Sequence, residues 1–299
     1  MHVYPERRSC DCGQNEAGSK RRVPFHIASI HFSAAGGGSI NETYKVCINN
    51  NTNFFLKLNS NLLFSKLFEK EKNGLEFISK QNCILTPSII LCETHDKYQQ
   101  LLLEWIERGI RDHDFWKKFG EQMAQLHHIT NEHFGFYEDN YMGSLPQSNT
   151  FTSSWIDFFI DNRLKPQIEL ATDKHLLQKN HITPFENLFK KLGSVFNTEK
   201  PSLLHGDLWS GNFMCNEQSL PLLIDPAVYF GHRSIDPGMT TLFGGFDKVF
   251  YDSYNYHYPL PANYREQWEL CNLYPLLIHL NLFGSGYLYD IEGTLRKFS

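Results

Sequence analysis

The chain has 299 residues, of which 41% are hydrophobic, 14% aromatic and 20% charged, and its net charge is −5. That composition excludes a disordered chain and allows a sizeable core; at roughly 150 residues per domain, two domains or lobes are expected. The negative balance gives no general field for nucleic acid, and no apolar run reaches the ~20 residues of a membrane helix.

Residues 1–22 are polar and charged without periodicity, and read as an irregular lead-in with no apolar stretch of a secretory signal. The seven cysteines form an odd, irregular set, expected as free thiols in a reducing cytoplasm. Cys10-x-Cys12 has no second close pair to complete four metal ligands.

Ile27–Phe32 is β-prone and leads to the glycine run Gly36-Gly37-Gly38-Ser39. Thr43–Ile48 and Phe54–Leu58 read as a hairpin across Asn49–Asn53, since Asn tolerates turn geometry. Residues 61–80 read as a helix, with Leu63, Leu67, Glu71 and Leu75 four apart. Ile89–Cys92 and Tyr98–Trp105 complete a small α+β lobe. Beyond it the chain reads as mainly helical: Trp116, Phe119, Met123 and Leu126 mark one core face, and Trp155–Leu170 is a second helix. Thr183-Pro184-Phe185-Glu186 reads as a helix start, with Thr as N-cap. Loop and short strands over 202–225 precede further helices after Ile235.

Leu203–Asp225 carries the chemistry. Asp207 follows His205-Gly206, Asn212 comes five residues later, and Asp225 ends the apolar strand Leu222–Ile224. Phosphoryl transfer needs one carboxylate to align and deprotonate an acceptor hydroxyl. It also needs a carboxylate and an amide oxygen to hold Mg²⁺ on the phosphates of ATP. D-x4-N followed by a strand-terminal Asp is the kinase catalytic-loop and metal-loop pattern. Upstream, Gly37, Gly38 and Ser39 permit close approach of backbone to phosphate or form a simple turn. Lys57 lies within an apolar strand, and Glu71 lies on an apolar helix stripe. Each is costly there alone; paired, they would hold the lysine at the ATP phosphates. Glu104-Trp105-Ile106 ends the last strand of the small lobe, where adenine would meet backbone groups.

Together these residues resemble the fructosamine kinases (ketosamine-3-kinases), relatives of aminoglycoside and choline kinases. The resemblance runs from about residue 36 onward, through GGSINETYKV at Gly37–Val46, FEKEKNGL at Phe68–Leu75 and AQLHHIT at Ala124–Thr130. It continues through Phe134–Asn149, with its DN-x-x-G-x-x-P-Q-x-N pattern, and through HGDLWSGN at His205–Asn212 and DPAVYFGHRSID at Asp225–Asp236. The resemblance implies a two-lobed protein-kinase-like α+β fold. Residues 1–105 would form a nucleotide-binding lobe and residues 106–299 a catalytic and substrate-binding lobe. It implies Asp207 as base, Asn212 and Asp225 as Mg²⁺ ligands, Lys57 on the ATP phosphates held by Glu71, and Glu104, Trp105 and Ile106 beside the adenine. Trp209 would be a platform for the sugar, or lobe packing; Asp236 would anchor the catalytic loop, and His232 and Arg233 would brace the Asp225 loop. The implied acceptor is the 3-hydroxyl of a small-molecule ketosamine or glycated amine, whose phosphate ester falls apart and restores the amine. The alternatives are a kinase of another hydroxylated amine, or a non-catalytic nucleotide-binding regulator. A protein kinase is disfavoured, since no DFG or APE segment accompanies Asp225.

Overall fold

The computed structural model describes residues 27–36 and 40–299. Gly37, Gly38, Ser39, Cys10 and Cys12 therefore lie outside the described residues.

Strands β1 (Ile30–Ala34), β2 (Glu42–Ile48) and β3 (Thr52–Ser60) form an antiparallel meander. Asn49 and Asn50 turn β2 into β3 with positive φ of 53° and 61°, a conformation Asn accepts more readily than most residues. After helix α1 (Leu67–Ser79), β4 (Ile89–Thr94) and β5 (Tyr98–Glu104) complete a five-stranded sheet ordered β1-β2-β3-β5-β4. On β5, buried Gln99, Leu101 and Leu103 alternate with more open neighbours, the period of two of a half-buried strand. Leu101 and Leu103 pack with Leu67, Phe68 and Leu75 of α1. The expected helix over 61–80 starts late, because Lys66 enters it in the left-handed conformation (φ 58°) and Leu62 and Leu63 stay exposed.

The rest of the chain is mainly helical. Asp112 caps α2 (His113–His127), its side chain accepting from Phe115 N–H at 2.8 Å. Phe119 and Met123 of α2 are fully buried, with the Phe119 ring 4.9 Å from Phe213 and 5.2 Å from Phe250. Each such ring taken from water contributes roughly 2–3 kcal/mol. A hairpin of β6 (Asn140–Met142) and β7 (Leu145–Gln147) follows.

The helix expected over Trp155–Leu170 is divided into α3 (Trp155–Phe159), a π-turn (Ile160–Leu164) and α4 (Lys165–Asp173). Pro166 cannot donate to the Asn162 carbonyl and would crowd it; that carbonyl accepts from Arg163 Nη1 instead, at 3.0 Å. Helix α5 (Lys179–Val195) begins before the expected Thr183 cap and carries Pro184 inside it. Gln178 caps it reciprocally with His181, and His181 Nε2 also meets Glu292 at 3.0 Å. This long-range tie explains why the local Thr-Pro signal does not set the start.

Two short antiparallel pairs then frame the centre of the molecule. They are β8 (Ser202–Leu204) with β11 (Tyr229–Gly231), and β9 (Phe213–Cys215) with β10 (Pro221–Leu223). Helices α6 (Ile235–Met239), α7 (Lys248–His257), α8 (Tyr264–Cys271), α9 (Leu273–Phe283) and α10 (Leu288–Phe298) close the fold. Pro237 falls in the first turn of α6, where its missing N–H costs nothing. No helix among the described residues is long and apolar enough to cross a membrane.

Candidate active site

The fully buried strand β8 runs into His205-Gly206-Asp207. Gly206 takes φ +83°, and a Cβ there would lie 2.1 Å from the Ala227 carbonyl oxygen. The loop is thus pressed against the segment that follows Asp225, and His205 O accepts from Ala227 N–H at 2.9 Å. From below, the Asp236 carboxylate accepts from the N–H groups of His205 (2.7 Å) and Gly206 (2.9 Å). His127 Nε2 lies 3.1 Å from the same carboxylate, and its Nδ1 lies 2.7 Å from the Tyr254 hydroxyl. Burial opposes the Asp236 charge, but the His127 hydrogen bond and charge hold its carboxyl below the usual range.

The His205 ring ties the two halves of the site. Its Nδ1 accepts from Asp207 N–H at 3.2 Å and its Nε2 meets the Ile224 carbonyl at 2.9 Å. Burial lowers its pKa and keeps the ring neutral, against the pull of Asp236. Ile224 N–H in turn donates to Asn212 O at 3.1 Å. Segments 205–212 and 224–225 are therefore laced together by backbone bonds immediately around the oxygen-bearing side chains.

Asn212 Nδ2 donates to both Asp207 O and Asp207 Oδ2 at 2.9 Å. Burial raises the Asp207 pKa well above the ordinary carboxylate range, and the negative charge of Asp225 adds to the shift. Asp225 stands at φ +54° and is bonded to Lys57 Nζ. Lys57, 3% exposed on β3, also donates to Glu71 Oε1 at 2.7 Å. Burial opposes the lysine charge, but Asp225 and Glu71 outweigh it and hold the ammonium protonated. Glu71 itself is raised to about 7, by burial and then by Asp225, against the pull of Lys57.

Glu71, Asp207, Asn212 and Asp225 line one cavity of about 380 Å³. Trp209 also lines it; its ring lies against Gly211, where a Cβ would be 2.4 Å from the indole, and edge-on to Phe243 at 6.2 Å. Tyr141–Gly143 of the hairpin and Ile278, His279 and Phe283 of α9 also line the cavity. Ile40 and Asn41, directly after the glycine run, reach the same space.

Glu104, Trp105 and Ile106 are not brought into this cavity. Glu104 N–H donates to Ser88 O at 2.9 Å, and the Trp105 indole donates to Glu107 at 2.7 Å. His232 and Arg233 do not brace the Asp225 loop as expected. Arg233 grips Glu199 and the carbonyls of Tyr258 and Pro259, and His232 Nε2 stands 3.8 Å from Glu199. A salt bridge across 34 residues leaves no local mark in the sequence. Reading the residues one motif at a time also missed His127, Asn140 and Gln147 as supports. His127 was detectable: it follows Met123 by four on the core face of α2, and a buried imidazole there requires partners.

Among the described residues no three His, Cys, Asp or Glu side chains gather to hold a metal by themselves. Asn212 and Asp225 nevertheless offer hard oxygens on one cavity wall, and both Asn212 amide hydrogens are spent on Asp207. That donor set suits an ion that takes its remaining ligands from phosphate and water, as Mg²⁺ does.

The sequence profile of the family described as Fructosamine kinase matches residues 17–298, beginning upstream of the glycine run. A Synechocystis protein named a probable ketoamine kinase is 36% identical over 275 residues, covering 92% of this chain and 91% of its own. The chloroplastic protein-ribulosamine 3-kinase of Arabidopsis thaliana is 35% identical over 263 residues, 85% of this chain and 78% of its own. A crystal structure from Haemophilus somnus, named as a candidate fructosamine-3-kinase, superposes with a TM-score of 0.82 at 28% identity, covering 90% of this chain and 92% of that one. More distant small-molecule phosphotransferases, 10–12% identical, share the two-lobed protein-kinase-like fold alone, at TM-scores of 0.54–0.56. With profile, relatives and architecture in agreement over nearly all its length, the chain belongs to the fructosamine kinase family.

Proposed function

We propose that this protein transfers the γ-phosphoryl group of ATP to the 3-hydroxyl of ketosamines, small-molecule or protein-bound Amadori adducts. The supporting observation is the convergence of Asp207, Asn212 and Asp225 on one cavity, backed by the Lys57–Glu71 pair.

In this proposal Asp207 aligns the acceptor hydroxyl and takes its proton as the oxygen bonds to phosphorus and ADP departs. A carboxyl with a raised pKa is the better base for that task. Asn212 fixes the Asp207 side chain and, with Asp225, would hold Mg²⁺. Bound there, the ion would neutralise charge on the phosphates. Lys57 would contact the phosphates and Glu71 would hold it in place. Trp209 would offer its face to the sugar. Glu104, Trp105 and Ile106 would flank the adenine through backbone groups, and Gly37, Gly38 and Ser39 would cover the phosphates. Residues 1–105 would serve as the nucleotide-binding lobe and 106–299 as the catalytic lobe.

The phosphorylated adduct would break down and release the amine, which makes the activity one of deglycation. A cytoplasmic setting suits the described cysteines, which are free thiols. The test is a coupled ADP-release assay across fructosamine, ribulosamine and erythrulosamine adducts, with Mg²⁺ omitted as control. Metal-dependent ADP release with at least one adduct is expected. Nucleotide binding without turnover on any of them would overturn the proposal.

A further inference from the structure

The pattern DN-x-x-G-x-x-P-Q-x-N contributes a stretch of the cavity lining, and its polar side chains are buried. Asn140, Gln147 and Asn149 are 8%, 1% and 0% exposed. Asn140 and Gln147 face each other across the β6–β7 hairpin, and Gln147 Nε2 donates to Asn140 Oδ1 at 2.7 Å. Both then reach the chain just past Asp225. Asn140 Nδ2 donates to Val228 O at 2.9 Å, and Gln147 Nε2 to Ala227 O at 3.3 Å.

The clamp is itself held from behind. The Tyr274 hydroxyl donates to Gln147 Oε1 at 2.9 Å, and Asn149 Nδ2 donates to Asn140 Oδ1 at 3.1 Å. Arg163, 0% exposed, donates to Asn149 Oδ1 at 2.7 Å and lies 4.0 Å from the Tyr229 ring centroid. The π-turn that presents Arg163 is a feature found often near functional sites.

Asp225 needs such support. Its backbone is left-handed at φ +54°; Asp accepts that region better than most residues, but the following Pro226 pushes it toward extended conformations. Pro226 fixes one following torsion, and the next two carbonyls are the ones the clamp holds. The same Ala227 carbonyl is the atom against which Gly206 is pressed, so the clamp also fixes the distance between Asp225 and the Asp207 loop.

We propose that Gln147 and Asn140 are positioning residues for Asp225, setting its carboxylate for the metal through the Ala227 and Val228 carbonyls. The inference rests on the assignment of Asp225 as a Mg²⁺ ligand, and the test separates the two. Mg²⁺ is titrated calorimetrically into the full chain saturated with a non-hydrolysable ATP analogue, and the melting temperature of the ligand-free protein is recorded. Gln147→Met keeps length and removes the hydrogen bonds; we expect Mg²⁺ affinity to fall ~10-fold, the size typical of lost support behind a metal ligand. Tyr274→Phe removes only the hydroxyl behind Gln147, with a smaller fall in the same direction. Asp225→Asn should weaken Mg²⁺ at least as much as Gln147→Met. If Asp225→Asn weakens Mg²⁺ while Gln147→Met and Tyr274→Phe lower only the melting temperature, the clamp is merely structural and the inference is overturned. If Asp225→Asn changes nothing, the metal assignment falls and the inference with it. Should Gln147→Met not fold, Tyr274→Phe decides.

Discussion

Asn212 gives both hydrogens of its side-chain amide to Asp207, one to the backbone carbonyl and one to Oδ2, each at 2.9 Å. This bond is the influence that lowers the Asp207 pKa, against burial and Asp225, which raise it. Asn212→Ala should therefore raise that pKa further. As the proposed base, Asp207 would act only as a carboxylate, so the acid limb of the kcat/KM profile should move to higher pH. Turnover should fall on the order of 10²-fold. A pH–rate profile checks both, and a stationary acid limb would remove Asp207 from the role of base.

Asp207→Asn should abolish most turnover, by on the order of 10²-fold or more, with ATP affinity retained. Its stability should change in the opposite sense. The folded protein holds the Asp207 proton more tightly than the unfolded chain does. Stability is thus lost as pH rises from the ordinary carboxylate range through the raised folded value. Melting curves should show the variant above wild type at pH 8, with the difference vanishing below about pH 4.

Much of this site was legible because each part sits in a short motif. Alternation on β3 and the spacing of α1 marked Lys57 and Glu71 as needing each other, and they meet at 2.7 Å. What was not legible depends on partners far away in the chain. The π-turn presents Arg163 to Ser148 and Asn149, some fifteen residues upstream, and α5 is capped by a histidine bound to α10. Local pattern runs one helix through Pro166, where the structure divides it, and begins another at Thr183-Pro184, where the structure has already begun it.

Lys57→Met leaves Glu71 and Asp225 without the ammonium between them. Glu71 can absorb the change by taking a proton, since its pKa is already raised to about 7 and Lys57 is the group pulling it down. Removing one member of a buried pair commonly costs about 3–5 kcal/mol, and here the loss should be small near pH 6 and grow toward pH 8.5. ATP affinity should drop at both pH values. Melting curves at the two pH values and nucleotide titration test this; a pH-independent loss of stability would contradict the Glu71 assignment.

Gly211→Ala places a methyl where the Trp209 ring lies, 2.4 Å from the indole. The ring must tilt off its present plane beside Phe243. If Trp209 is the platform for the sugar, KM for the ketosamine should rise several-fold while KM for ATP stays put. An equal change in both would assign the indole to lobe packing instead.

Lys57 also bears on the order in which ligands arrive. Its ammonium is the internal counter-ion of Asp225. A divalent ion approaching alone would have to evict a cation already seated, with no phosphate to receive the displaced lysine. Under the proposed roles, arrival as a preformed metal–nucleotide chelate would solve both problems at once, since the triphosphate would receive the lysine while Asp225 and Asn212 would hold the metal. Free Mg²⁺ alone should then leave the melting temperature unchanged, whereas the chelate should raise it.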